Sequence, residues 1–184
     1  MIQYPSIRTG RLELIPATLR MLISDRNDRA MLARLLDADI PASWPPELLD
    51  ETTMDEFIRI QAEQSDPHFC SWYWIRYGQD RVLIGSGGIA SVPGEPDTVM
   101  IGYSILWEFQ NRGYATEAVH HLVSFIITLP GIRRILATTY PELKASISVL
   151  EKSGFVPDGI TDGGAGMEEG TLRYVLEVPN WLPG

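Results

Sequence analysis

The segment FQNRGYATEA, residues 109–118, places amide, basic and small side chains where a helical pattern begins. The first turn of a helix has backbone amides without intrahelical partners, and the helix dipole adds partial positive charge there. Gly113 permits a positive φ or a close backbone approach, and Ala115 keeps the helix entrance uncrowded. Asn111 and Arg112 add side-chain donors at the rim. Because several N–H groups can converge on one point, the segment predicts a site for phosphate or pyrophosphate.

Two common phosphate-binding motifs do not fit this segment. No Gly-Lys-Ser/Thr sequence follows, as a P-loop requires, and only one glycine is present where the dinucleotide fingerprint has three. The spacing present is Gln110-x-x-Gly113-x-Ala115, after a strand pattern and leading into a helix. On this pattern alone, an ordinary glycine-containing helix start remains an equal alternative.

Hydrophobic periodicity and turn residues predict the elements that must position this segment, in the order β, α, α, β, β, β, α, β, α, β, β. The second element has a possible polar break at residues 25–29, Thr52 or Thr53 would cap the third, and Pro130-Gly131 would stop the seventh. In chain order the elements cover residues 11–18, 19–39, 50–64, 70–78, 81–92, 98–106, 113–129, 132–140, 141–155, 155–162 and 172–178.

The element order predicts the fold class. A strand–helix–strand unit at the anion segment, embedded in an otherwise antiparallel series, indicates an α/β mixed sheet with one parallel crossover. No linker, repeat or low-complexity tract interrupts the pattern. We therefore expect residues 1–184 to form one domain.

Three segments together resemble the GNAT N-acetyltransferases. The spacing Gln110-x-x-Gly113-x-Ala115 is similar to the loop with which that family binds the pyrophosphate of acetyl-CoA. NRGYATEAV (111–119), ASISVLEKSGF (145–155) and IRTGRLELIPAT (7–18) resemble the branch of ribosomal-protein N-terminal acetyltransferases, the RimJ/RimL type. The resemblance implies the GNAT acyl-CoA N-acyltransferase fold, a central, mostly antiparallel twisted sheet with one parallel crossover, flanked by helices.

The resemblance implies an acetyl-CoA-dependent N-acetyltransferase that acts by direct attack in a ternary complex. The acceptor would be a primary amine, either a protein N-terminus or a small molecule. Backbone groups of one strand would pair with the pantetheine arm, and Gly102 would mark the splay of that strand or accommodate a neighbouring side chain. The implied cofactor-binding residues are Tyr103, Ser104, Ile105, Gln110, Asn111, Arg112, Gly113, Tyr114, Ala115 and Thr116.

The resemblance also suggests catalytic residues, and here the chain departs from the family. Many members use a tyrosine as general acid where this chain has Leu150, whereas the Rim-type branch has a serine that matches Ser146. Ser146 would hydrogen-bond the leaving sulfur, or it would only cap its helix. Glu108 would be the general base or a solvated loop acid, with Glu117 as a second candidate.

The residue three positions before Ser146 is another departure. An asparagine that contacts the cofactor is usual in the branch, and Leu143 replaces it. Together with Leu150, this leaves a non-catalytic CoA-binding or regulatory module on the same fold as the alternative function.

Composition limits the partners and the location. The net charge is −9, which argues against nucleic-acid binding. The single cysteine, Cys70, excludes an internal disulfide and a zinc site built on several thiolates, so we expect no metal. Without an apolar leader or a long apolar run, we expect a cytoplasmic protein that does not bind membranes, as a monomer or homodimer. Four acids lie near the second predicted helix: Asp50, Glu51, Asp55 and Glu56. They would attract a cationic acceptor, or they are only the acids that are usual at the start of a helix.

Overall fold

The computed structural model describes residues 4–164 and 167–178. It contains eight strands, five α-helices and a short 3₁₀ turn at Trp107–Phe109 within these ranges. The strands are β1 Ile7–Arg8, β2 Leu12–Pro16, β3 Cys70–Arg76, β4 Val82–Val92, β5 Glu95–Ile105, β6 Arg134–Thr139, β7 Val156–Ile160 and β8 Leu172–Glu177. The helices are α1 Leu19–Asn27, α2 Arg29–Leu36, α3 Glu51–Glu63, α4 Tyr114–Ile126 and α5 Lys144–Lys152.

All eight strands form one sheet in the order β1-β2-β3-β4-β5-β6-β8-β7. Every neighbouring pair is antiparallel except β5 and β6, which are parallel and are connected through α4. A parallel neighbour requires a crossover connection, and the anion segment lies at the start of that crossover. The predicted mixed sheet with one parallel crossover is confirmed.

Strand β3 separates two hydrophobic cores, because successive side chains of a strand point to opposite faces of the sheet. Trp72 and Trp74 belong to the core that contains α4, whereas Tyr73 and Ile75 belong to the core that contains α1, α2 and α3. The helices contribute buried apolar side chains at helical spacing to these two cores: Val119, Leu122 and Ile126 of α4, and Leu22, Leu32, Leu36 and Met54 of the first three helices.

Glycines in β4 leave room for one large side chain of β3 to reach across to β5. A Cβ atom at Gly87 would lie 2.5 Å from Cζ2 of Trp74, and one at Gly85 would lie 3.0 Å from Cε3 of the same indole. The indole therefore crosses β4 at close range and stacks on Tyr103 of β5, with 6.3 Å between ring centroids and 22° between the planes. This stack fixes the direction in which Tyr103 extends from the sheet.

Two predicted helix boundaries are wrong, the cap of α3 and the end of α4, whereas the possible polar break in the second element is confirmed. The possible polar break at residues 25–29 divides the element predicted over 19–39 into two helices, because the N–H of Asp28 ends α1 by donating to the Ser24 carbonyl and its carboxylate caps α2. Helix α3 is capped by Asp50, whose carboxylate accepts from Thr53 N at 2.8 Å, and not by Thr52 or Thr53. Helix α4 also ends at Ile126, four residues before the predicted stop at Pro130.

Candidate active site

Strands β5 and β6 separate from each other after a short paired stretch. Only Thr98–Met100 pairs with 134–136, although β5 continues to Ile105 and β6 to Thr139. The β6-facing edge of β5 therefore opens over residues 101–105, where backbone N–H and C=O groups are available to an extended ligand. The predicted pantetheine strand, Tyr103 to Ile105, lies in this opening.

Gly102 lies just beyond the last paired residue of β5. A Cβ atom at this position would meet nothing within 4 Å, so the glycine is not there to accommodate a neighbouring side chain. It lines the groove described next, and its missing side chain leaves that space free.

A groove of about 990 Å³ begins at this opening and extends over the start of α4 and one face of α5. Its walls include the exposed apolar side chains Leu48 and Trp107 and the three charged residues Glu47, Lys152 and Glu168. Of the ten predicted cofactor-binding residues, nine line it: Tyr103, Ser104, Ile105, Gln110, Asn111, Gly113, Tyr114, Ala115 and Thr116. The exception among them is Arg112, whose side chain is exposed outside the groove.

The loop before α4 has the backbone geometry of an anion site. Asn111 and Gly113 adopt left-handed conformations, with φ of 58° and 79°. The first α4 amide to find an intrahelical acceptor is that of Glu117, which donates to the Gly113 carbonyl at 3.0 Å. Within the described chain, the amides of residues 113–116 make no backbone hydrogen bond. Four unpaired donors at the positive end of a 13-residue helix can bind a phosphate.

The turn between β1 and β2 contacts this loop through ionic and polar hydrogen bonds. Glu117 accepts from the Thr9 hydroxyl at 2.5 Å, from Arg11 N at 2.8 Å and from Arg11 Nε at 2.7 Å. These donors hold the pKa of Glu117 below its usual range, although burial acts in the opposite direction. Both carboxylate oxygens are thus engaged, and Glu117 is a poor candidate for a general base.

Ser146 lies in the first turn of α5 and faces the groove. Its Oγ is 3.1 Å from the hydroxyl of Tyr103, and its carbonyl accepts from the same hydroxyl at 3.2 Å. Burial raises the pKa of Tyr103 to about 12, and the hydrogen bond to Ser146 partly offsets this. The phenol is therefore a neutral donor at physiological pH. Two hydroxyl groups from different elements meet at the wall of the groove.

The two positions that depart from the resembled pattern differ in environment. Leu150 is fully buried in the core under α4 and α5, where it cannot contact a ligand. Leu143 is 39% exposed and lines the groove, so it presents an apolar side chain where an asparagine amide would have been.

Glu108 lies in the 3₁₀ turn just before the anion loop but does not itself line the groove. Its Oε1 accepts a hydrogen bond from the hydroxyl of Ser43, which does line it. Its Oε2 is buried and has no hydrogen-bond partner among the residues that the structure describes. The carboxylate is therefore connected to the groove through one serine.

The four acids near α3 are engaged elsewhere. Asp50 caps the helix, Glu51 and Asp55 form ion pairs with Arg26, and Glu56 pairs with Arg59. None of the four lines the groove, whose carboxylates are instead Glu47 and Glu168. Asp50 and Glu51 therefore act as acids at the start of a helix, the second of the two interpretations offered by the sequence, rather than as contacts for a cationic acceptor.

Cys70 is buried at the start of β3, and burial raises the pKa of its thiol well above the usual range. A protonated, buried thiol is inert as a nucleophile. The structural interpretation of this cysteine therefore fits its environment.

Several groove and loop contacts were not anticipated from the sequence. Arg11 belongs to a segment that carried the family resemblance, but its contact with residue 117 spans more than a hundred positions and has no local signal. Ser43 and Glu168 come from irregular segments. Thr139 also lines the groove, and its buried hydroxyl lacks a partner within the described residues.

Two features are not found in residues 4–164 and 167–178. None of the helices there has the length and apolar character needed to cross a membrane. No three His, Cys, Asp or Glu side chains of these ranges group in an arrangement that would hold a metal ion.

Comparison with known proteins places this geometry in context. Residues 17–156 match the sequence model of a family described as "Acetyltransferase (GNAT) domain". The N-acetyltransferase YoaA of Bacillus subtilis is 30% identical over 146 residues, which cover 72% of this chain and 82% of YoaA.

Solved structures share the fold at low sequence identity. The ribosomal-protein-S5-alanine acetyltransferase of Vibrio fischeri matches with a TM-score of 0.66 at 16% identity, covering 98% of this chain and 100% of that one. RimJ of Mycobacterium smegmatis, solved in complex with CoA-disulfide, matches with a TM-score of 0.62 at 21% identity, covering 94% of this chain and 86% of that one. Structural likeness at this identity establishes a common fold.

Proposed function

The chain belongs to the GNAT acetyltransferase family, and on that premise we propose that it transfers the acetyl group of acetyl-CoA to a primary amine. One observation carries the proposal. The opening between β5 and β6 and the unpaired amides at the start of α4 line the same groove. A ligand with an extended amide-containing arm and a pyrophosphate fits that combination. Release of CoA thiol that requires both acetyl-CoA and an amine tests it.

The groove offers separate contacts for the parts of the donor substrate. The amides of residues 113–116 would bind the pyrophosphate, and the side chains of Gln110 and Asn111 would add donors beside it. Backbone groups of Tyr103, Ser104 and Ile105 would pair with the pantetheine amides, in the manner of an added strand. Lys152 is the cation that lines the groove, and its charge would favour a phosphate.

The reaction would be a direct transfer. The amine nitrogen attacks the thioester carbonyl, the C–N bond forms, the C–S bond breaks, and CoA leaves as a thiolate that must gain a proton. A backbone N–H on the open edge of β5 would stabilise the oxyanion that forms on the carbonyl oxygen. Ser146 would donate a hydrogen bond to the sulfur, with the one proton of the Tyr103 hydroxyl turned from the Ser146 carbonyl to Ser146 Oγ.

The acceptor would be a cationic amine, a protein N-terminus or a small molecule. Two of the three charged groove residues, Glu47 and Glu168, are acidic and would attract it. The exposed apolar side chains Leu48 and Trp107 offer contact area to an adjoining apolar group.

The attacking amine must lose a proton, and we assign this task to Glu108. Its carboxylate would accept the proton through the Ser43 hydroxyl or a water molecule in the same place. Oε2 has no hydrogen-bond partner among the described residues, so this carboxylate can still accept a hydrogen bond or a proton.

Glu108→Gln should lower kcat/KM at pH 7 by about a hundredfold, because the amide cannot accept a proton and general-base catalysis is worth roughly that much. The deficit should shrink by pH 9 with an α-amino acceptor, since that amine has a pKa of about 8 and deprotonates in solution. Thiol release measured across pH for both proteins checks this. Ser43→Ala should show part of the same loss. A Glu108→Gln protein with the wild-type rate at pH 7 would remove Glu108 from the reaction.

A further inference from the structure

Arg11 connects the first hairpin of the chain to the anion loop, although it does not line the groove. We propose that Arg11 is a positioning residue for acetyl-CoA. It orients the Arg112–Gly113 peptide so that the Gly113 N–H faces the groove. The inference rests on the proposed function, because it assumes that the loop binds the pyrophosphate of the donor.

The guanidinium of Arg11 is held on three sides. Nη1 donates to the Arg112 carbonyl at 3.0 Å, and Nε donates to Glu117 Oε2 at 2.7 Å. The guanidinium carbon lies 4.5 Å from the ring centroid of Tyr114, within the range of a cation–π contact. A planar fork with two directed bonds and a stacked face has little freedom to turn.

The effect on the ligand follows from peptide geometry. The Arg112–Gly113 peptide is trans, since the cis bond found in the described chain is Trp44–Pro45. In a trans peptide the carbonyl and the following N–H point in opposite directions. Because Arg11 binds the Arg112 carbonyl on one side, the Gly113 N–H points to the other side. Gly113 lines the groove, and on the proposed function this N–H faces the space assigned to the pyrophosphate.

The anchor of Arg11, Glu117, is partly buried and makes several hydrogen bonds. The Glu117 side chain is 15% exposed and also accepts from Thr9 Oγ1 and from Arg11 N. Since Glu117 belongs to the first turn of α4, the same network fixes the helix start relative to the hairpin. Glu117 also neutralises the charge of Arg11, so a direct long-range attraction of the phosphates is a small part of its effect.

The test is the affinity for acetyl-CoA, measured by calorimetry with Arg11→Gln and Arg11→Lys. We expect Kd to rise about tenfold in both variants, the effect of losing one charge-assisted hydrogen bond that orients a donor. Lysine retains the charge but not the fork, so it should not restore binding. The KM for acetyl-CoA should rise similarly, while kcat at saturation stays within about threefold.

Arg81→Gln is the matched control. Arg81 likewise binds a glutamate, Glu13, at 2.7 Å, and a backbone carbonyl, that of Asp37, at 2.7 Å, but it does not line the groove. Its loss should lower the melting temperature without changing Kd.

Three results would overturn the inference while leaving the proposed function intact: unchanged affinity in Arg11→Gln, wild-type affinity in Arg11→Lys, or equal weakening in Arg81→Gln. A wild-type protein that binds no acetyl-CoA would overturn both.

Discussion

Replacing Gly113 by valine is expected to raise the Kd for acetyl-CoA by about a hundredfold or more. Gly113 has φ of 79°, where an L side chain costs about 1–2 kcal/mol and a β-branched one more. The added Cβ would lie 3.4 Å from Nη2 of Arg11, which is ordinary van der Waals contact, so the expected loss comes from the changed backbone conformation of the loop. The variant would lose two or more hydrogen bonds from backbone amides to a charged ligand. Each is worth about 1.5–3 kcal/mol, which accounts for the expected rise in Kd. Calorimetric titration with acetyl-CoA measures it.

Gly131→Val separates ligand binding from backbone strain. Gly131 has a similar φ of 82°, and a Cβ atom there would meet nothing within 4 Å. Gly131 follows the C-terminal end of α4, whereas the anion loop precedes the N-terminal end. This variant should lose comparable stability and keep wild-type affinity. If Gly113→Val bound acetyl-CoA as tightly as Gly131→Val does, residues 110–116 would not be the phosphate loop.

Ser146→Ala should lower kcat by about 10- to 100-fold while changing the Kd for acetyl-CoA less than about threefold. A hydrogen bond to the leaving sulfur strengthens as negative charge develops, so its removal affects the transition state more than the bound substrate. Thiol release at saturating acetyl-CoA, together with calorimetry, separates the two quantities. A helix-capping serine would instead lower stability and leave kcat unchanged.

Tyr103→Phe and Ser148→Ala sharpen the comparison. Phenylalanine retains the ring that stacks on Trp74 and removes only the hydroxyl bonded to Ser146, so kcat should fall by less than in Ser146→Ala. Ser148 lines the same groove from the same helix, and its loss should leave kcat near the wild-type value. Equal rates for Ser146→Ala and Ser148→Ala would exclude a special role for Ser146.

The fold was predictable because its determinants are local. Alternation in β2, the aromatic-rich run of β3, the periodicity of α4, and the glycine at its start each follow from short windows of sequence. The errors came where one polar side chain decided a boundary. Asp50, and not Thr52 or Thr53, caps α3, whereas the polar break expected at residues 25–29 does contain Asp28, which ends α1 and caps α2.

The site was predictable only in part, because its contacts join distant segments. The anion loop is contiguous and could be identified, whereas Arg11 meets Glu117 across 106 positions. Tyr103 was expected to contribute only its backbone, yet its hydroxyl meets Ser146 across 43 positions. Glu108 was placed next to the loop by sequence, but only the fold shows that Ser43 stands between it and the groove.

The measurement that tests the central claim most directly is thiol release from acetyl-CoA against a panel of peptides, polyamines and amino acids. We expect release that requires an amine, with initial-velocity patterns of a ternary complex and an acetylated amine as product. Gly113→Val should abolish release at acetyl-CoA concentrations that saturate the wild-type protein. Tight binding of acetyl-CoA without release for any amine in the panel would contradict acetyl transfer, and would indicate a CoA-binding module on the same fold.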